Sequence, residues 1–517
     1  MKKSLKYLLS LVLSVILILS SIAGCAPTES PDESSTPAAS PDETPAESTP
    51  EETPADTPLE TPDETPEDST PSESDPVSPP EGEDYAWTVG FGAQEIAIPE
   101  DPETPLYIAG YNQGVKITSV RDLQRANAVW IDAANDGTGG ILVISIDCVG
   151  LASKYVNEIR TRLADFVSES GCEAINVIST HTHAGLDTFG LWGPAGVDGK
   201  NAEFMENLVN AAVKAAKNAY ADRSEGTLHY SFVKTDTSFL RDSRYPIVLD
   251  PNLYQLRFEP RDSAQNGIRI VSYGAHAESL RGANTILSRD YPGEVSDILW
   301  RETGDDMLYL PGPIGGLVMT QEIVSPFNAV KNLEATGKKL ANYLLSIDKD
   351  DETEIYPQLS FVKEALEVPV ENSVFKLYKS LGILDNEIYT AEDGSVIVKS
   401  ELNLISIGGK DGILFGLIPG EIFPELVTGK ALKAGDPEAL TVTAKNAGYN
   451  NLITVNLAND ELGYIVPPSD FIVHPTNPYF QRYEVNGEDH YEETNSVGKQ
   501  CAAKVAEAFA SALEKLK

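Results

Sequence analysis

From Tyr85 onward, apolar residues fall into two rhythms. Mostly apolar runs at Ile141–Ile146 and Ala174–Ser179, with a shorter one at Ala128–Ile131, predict buried strands. Between the two longer runs, Ser153–Glu169 places apolar residues three or four apart, which predicts an amphipathic helix. Strand, helix and strand in succession indicate an α/β fold. Further helices are predicted over Ala202–Arg223, Ala329–Ser346 and the Ala- and Lys-rich Val497–Lys517. Strands are predicted over Leu253–Phe258, Ile268–Tyr273, Val396–Ile407, Ile413–Ile418 and Leu452–Asn456. No internal repeat and no second proline-rich linker interrupts residues 85–517, so the expectation is one large domain with mixed sheets and surrounding helices. A smaller subdomain around residues 350–400 stays open.

Ahead of Tyr85 the pattern is different. Lys2, Lys3 and Lys6 precede an apolar run from Leu8 to Leu19, too short to span a bilayer comfortably, and Ser21, Ala23 and Gly24 lead to Cys25. This order reads residues 1–25 as an export signal. Ile22-Ala23-Gly24-Cys25 resembles the bacterial lipobox, which implies a diacylglyceryl group on Cys25 and stable anchoring by two acyl chains. The expected location is the cell membrane, lipid-anchored and facing the extracellular side. Residues 26–84 hold 14 of the chain's 34 Pro among Glu, Asp, Ser and Thr, with no aromatic residue. Such a stretch buries too little apolar surface to fold and is expected to act as a disordered, extended stalk.

Charge narrows the partners. The first 84 residues carry a net −16 (three Lys against 19 acids), which leaves −24 of the chain's −40 on the other 433. That balance repels phosphate backbones, and no basic patch offsets it, so no nucleic-acid partner is expected. Cys148, Cys172 and Cys501 are odd in number and widely spaced, so no disulfide framework is implied. Cys148 and Cys172 read as small buried hydrophobes.

Only six histidines occur, and three follow predicted strands. His181 and His183 lie in Ser179-Thr-His-Thr-His-Ala-Gly185, and His276 in Tyr273-Gly-Ala-His-Ala277. Strand alternation would point His181 and His183 into one pocket, and neutral imidazole is a preferred zinc ligand. Each ring alone is as well explained by a backbone hydrogen bond at a strand end; together they favour a metal site. Glu421, in Ile418-Pro-Gly-Glu421-Ile422, follows another strand and is expected to open a helix, where the helix dipole would also favour an acid. His229, His474 and His490 are expected to be structural.

These segments are similar, in order and context, to the neutral/alkaline non-lysosomal ceramidase family. The likeness is carried by Val89-Gly-Phe-Gly92, Ala109-Gly-Tyr111, Arg125-Ala126, Ile146-Asp147, Thr180-His-Thr-His-Ala-Gly185, His276, Pro419-Gly-Glu421, Gly463-Tyr464 and Tyr491-Glu492. It runs from about Thr88 to the end of the sequence and covers that family's catalytic domain. The resemblance implies a Zn2+ ion held by His181, His276, Glu421 and Tyr464, with His183 beside it as a catalytic group. It further implies a substrate-facing Tyr491, with Tyr483-Glu484 as a competing match, and an active-site Arg241, with Arg244 as its rival. The implied activity is hydrolysis of an N-acyl linkage, in ceramide or another N-acyl compound. Two stretches depart from the family pattern, Leu310-Pro-Gly-Pro-Ile-Gly-Gly316 and Ser288-Arg-Asp-Tyr-Pro-Gly293, and they bear on ceramide more than on the metal. The glycine-rich loop reads as a turn, since it lacks the lysine of a phosphate-binding loop.

Other metal-dependent classes fit less well. A metallo-β-lactamase-like site requires Asp-His where Gly185-Leu186 stand, and an amidohydrolase barrel requires more histidines and an eightfold βα rhythm. A non-catalytic surface binding lipoprotein on the same fold is the alternative of a different kind.

Overall fold

The computed structural model describes residues 85–100, 105–134 and 139–516. The expected signal peptide, Cys25 and the stalk lie outside the described residues. No described helix is long and apolar enough to cross a membrane.

A large mixed sheet forms the first half. Its strands run in the order Asp306–Pro311, Ile268–Tyr273, Asn252–Pro260, Ser224–Lys234, Trp87–Glu95, Arg125–Asp132, Ile141–Ile146, Ala174–Ser179, with Thr353–Ile355 added beside Ser224–Lys234. Pairing is antiparallel except at the two ends, where Asp306–Pro311 and Ala174–Ser179 each run parallel to their neighbour. Every residue of Ile141–Ile146 and Ala174–Ser179 is buried. This explains why apolar residues dominate both without alternating, because a strand covered on both faces has no solvent side to alternate with.

A second sheet, Leu359–Pro369, Val396–Ile407, Ile413–Leu417 and Leu452–Val455 with Glu387–Thr390 at its side, packs on the first. Leu256, Ile270 and Leu308 of one sheet meet Ile405, Phe415 and Val455 of the other in one apolar cluster. Helices cover both outer faces. Ser153–Arg162 and Ala202–Asp222 lie on the first sheet, and Cys501–Lys515 lies on the second through Val505 and Phe509. The result is a four-layer α/β/β/α sandwich. Asn201 caps the helix Ala202–Asp222 by accepting from the Phe204 amide at 2.9 Å. That helix lies directly on the strand Trp87–Glu95. A Cβ on Gly90 would come 2.2 Å from the Ala219 carbonyl oxygen, and one on Gly92 would come 2.3 Å from that of Ala215. The Val89-Gly-Phe-Gly92 pattern is therefore a packing requirement.

Three expectations change in detail. The helix expected over Ser153–Glu169 is broken at Leu163 into Ser153–Arg162 and Ala164–Ser170. Residues 350–400 supply strands to both sheets and form no separate body. Glu421 does not open a helix: it begins the two-residue strand Glu421–Ile422, paired in parallel with Tyr464–Ile465, and the helix starts at Pro424.

Candidate metal centre

The site lies where strands of both sheets end, and short bridges lock these ends together. The Ser179 amide donates to Leu457 O at 3.1 Å, and Thr182 pairs with Ala277, His276 with Met319 and Ile178 with Ala458. His181 follows the buried strand Ala174–Ser179 but leaves it sharply, with φ +63°. A non-glycine residue in that region costs about 1–2 kcal/mol, and the Cys148 carbonyl, 2.9 Å from the His181 amide, helps hold it. The His181 and His183 rings do share one pocket, with centroids 4.7 Å apart. The turn at His181 brings them together, where the sequence had suggested strand alternation.

His181, His183 and His276 are buried, and their ligand-capable nitrogens lie within 4.8 Å of one another. Glu421 closes the group: its Oε2 is 3.0 Å from His276 Nε2 and 3.6 Å from His181 Nε2. Donors bound to one zinc at about 2.0–2.1 Å in a tetrahedron stand about 3.3 Å apart, so these separations suit a shared ion. The outer nitrogens agree. His276 Nδ1 is 2.8 Å from Val318 O, and His181 Nδ1 is bonded to Val149 O. Both carbonyls can only accept, so each Nδ1 carries hydrogen and each Nε2 turns its lone pair inward. Those lone pairs and the Glu421 carboxylate converge, an arrangement suited to a cation.

Electrostatics points the same way. Burial pushes His181 down to about 4 despite the opposing pull of Glu421, and it lowers His276 and, further, His183. All three rings are thus neutral near pH 7, the form that binds metal. Burial also raises Glu421, against His181 and a hydrogen bond from Tyr464. Tyr464 stands opposite Glu421 in the parallel register.

The remaining candidates separate. The Tyr491 ring lies 6.2 Å from that of Tyr464, whereas Tyr483 packs against His474 at 5.3 Å. Of the two tyrosines, Tyr491 is the one that packs against Tyr464. Arg241 is exposed on a short strand paired with Met319. Its rival Arg244 is buried and engaged by Asp470, Glu492 and Glu493. His490 joins that network, 2.8 Å from both Arg244 and Glu493, and His229 bonds Thr227, both structural roles. Cys148, Cys172 and Cys501 are buried free thiols, raised by burial to about 12, 11 and 12.

Sequence reasoning missed two acids, the buried Glu278 and the half-buried Glu461. Glu278, two residues after His276, has Oε2 3.5 Å from His183 Nδ1 and accepts a hydrogen bond from Tyr111. Glu461 bonds the Gly463 amide at 2.6 Å, and burial, then Glu421, raise it well above the usual carboxylate range. Neither carried a sequence signal of its own: Glu278 is one acid among 79, and Glu461 follows the polar Asn459-Asp460.

No protein-family model and no curated protein matches the sequence. Among solved structures, the chain is similar to neutral ceramidase from Pseudomonas aeruginosa, with 16% identity and a TM-score of 0.64 over 84% of this chain and 75% of that one. It is also similar to a structure described as ceramidase complexed with C2, with 15% identity and a TM-score of 0.64 over 84% and 76%. By this likeness, the α/β/β/α sandwich that carries the buried histidine cluster is the neutral-ceramidase fold.

Proposed function

We propose that this chain is a zinc-dependent amide hydrolase that cleaves an N-acyl linkage, in ceramide or another N-acyl compound, while lipid-anchored through Cys25 on the extracellular side of the membrane. The observation that carries the proposal is the convergence of His181 Nε2, His276 Nε2 and Glu421 Oε2 with both Nδ1 atoms tied to backbone carbonyls. His181, His276, Glu421 and Tyr464 would hold the ion, which supplies Lewis-acid activation of water and of an acyl oxygen. His183 lies against the ligand histidines, its Nε2 3.1 Å from that of His181. As a neutral imidazole it can take a proton from the attacking water and return it to the departing nitrogen. Tyr491 offers a hydroxyl for the developing oxyanion. The dry walls around the cluster strengthen each of these interactions.

The test combines metal content with turnover. About one zinc per chain is expected, lost in His181→Ala and in His276→Ala, with chelator-sensitive hydrolysis of at least one member of a panel of ceramides, N-acyl amino acids and N-acetyl sugars. Bound zinc without cleavage of any member would favour the binding-lipoprotein alternative.

A further inference from the structure

We infer that Glu278 is a positioning residue for His183, held in place by Tyr111, and that this carboxylate sets which ring nitrogen of His183 carries hydrogen. The inference rests on the amide-hydrolase reading above. Its starting point is an asymmetry among the three rings. His181 and His276 each have Nδ1 satisfied by a backbone carbonyl, of Val149 and Val318. His183 has none: its Nδ1 is buried without a hydrogen-bond partner, and the nearest acidic group is Glu278, with Oε2 at 3.5 Å. Glu278 is itself 4% exposed, and its Oε1 is also unpartnered. Buried polar atoms left unsatisfied on two neighbouring side chains are costly. A small approach of ring and carboxylate satisfies His183 Nδ1, and contacts of this kind tighten when a site is loaded.

The surroundings fix both partners for that approach. Tyr111 donates its hydroxyl to Glu278 Oε2, and its ring meets the His183 ring edge-on with centroids 5.3 Å apart. Gly110 lies under the same ring, where an added Cβ would come 2.5 Å from His183 Cβ. The imidazole is therefore enclosed by Gly110 below, Tyr111 at its edge and Glu278 at Nδ1. Placing the hydrogen on Nδ1, towards Glu278, leaves the Nε2 lone pair facing the ligand histidines. A base needs that tautomer there. The arrangement follows the general logic by which a buried carboxylate fixes a catalytic histidine without itself reacting.

The experiment uses the zinc-loaded protein with 15N-labelled histidine, and His183 is assigned by its loss in His183→Asn. Nitrogen chemical shifts should show His183 protonated at Nδ1 in the wild type, and a shift of population towards protonated Nε2 in Glu278→Gln and Glu278→Ala. The same variants should retain about one zinc per chain and lose about 100- to 1,000-fold in kcat with KM changed less than about threefold. Tyr111→Phe, which removes only the hydroxyl that aims Glu278, should move both readouts in the same direction by a smaller amount and keeps the inference testable if Glu278 variants fold poorly. An unchanged His183 tautomer in all three variants, or kcat within threefold of an active wild type, overturns the inference. If the wild type hydrolyses nothing, the amide-hydrolase reading fails, and the tautomer measurement still decides the role of Glu278.

Discussion

Replacing Arg244 by Met tests how the wall behind Tyr491 is held. Arg244 is buried, and its guanidinium donates to Glu492 Oε2 at 2.8 Å, Glu493 Oε1 at 2.8 Å and Asp470 Oδ2 at 3.0 Å. Removing one partner of a buried ionic group strands the others and costs about 3–5 kcal/mol. For a folded body of roughly 430 residues this lowers the melting temperature by about 3–6 °C. The deficit should depend on pH. Burial pushes the Glu492 carboxyl from 4.5 up to about 7, with Arg244 acting against the shift. An acid raised in the folded state stabilises the fold below its unfolded value and loses that contribution as pH rises through the folded one. Without Arg244 the folded value climbs further, and a climb of one unit deepens the deficit at pH 8 by about 1 kcal/mol. Calorimetry of wild type and Arg244→Met at pH 5 and pH 8, at one scan rate, should show the larger gap at pH 8. A gap under 1 °C at pH 8, or equal gaps at both pH values, would refute the assigned role of the buried carboxylates.

Two other outcomes follow from the geometry. Gly110→Ala adds a Cβ at φ +105°, 2.5 Å from His183 Cβ; it should cost about 1–3 kcal/mol in denaturant unfolding and displace the His183 ring, abolishing measurable hydrolysis while His181 and His276 retain zinc. Cys148, Cys172 and Cys501 should resist alkylation in the native protein at pH 8 and react once unfolded, read by peptide mass mapping, since their thiols are buried and raised to about 11–12.

Legibility in the sequence tracked burial symmetry. Ile141–Ile146 and Ala174–Ser179 were readable because both faces are covered, and Val396–Ile407 because β-branched and Leu residues recur along it, from Val396-Ile-Val398 to Leu402, Leu404, Ile405 and Ile407. Ser224–Lys234 escaped, since one of its faces is partly solvated and Ser, Glu and His interrupt its apolar positions. The helix Asp290–Thr303 also escaped, because Pro292 and Gly293 in its first turn read as a loop. At the site, His-x-His and His276 stood out through their rarity and their strand-end placement. Glu278 did not, since one acid among 79 carries no pattern until the fold sets it beside His183.

The cluster also has a consequence for how the molecule can be divided. His276 and Glu421 meet across 145 positions of chain, and the exposed turn Asp348–Asp350 lies between them. A cut there would leave His181, His183 and His276 on one fragment and Glu421 and Tyr464 on the other, dividing the ligand set proposed above. On the proposal above, neither piece would hold the full shell; recovery of tight zinc binding on mixing would report the docking of one sheet onto the other, so the centre would double as a built-in gauge of complete assembly.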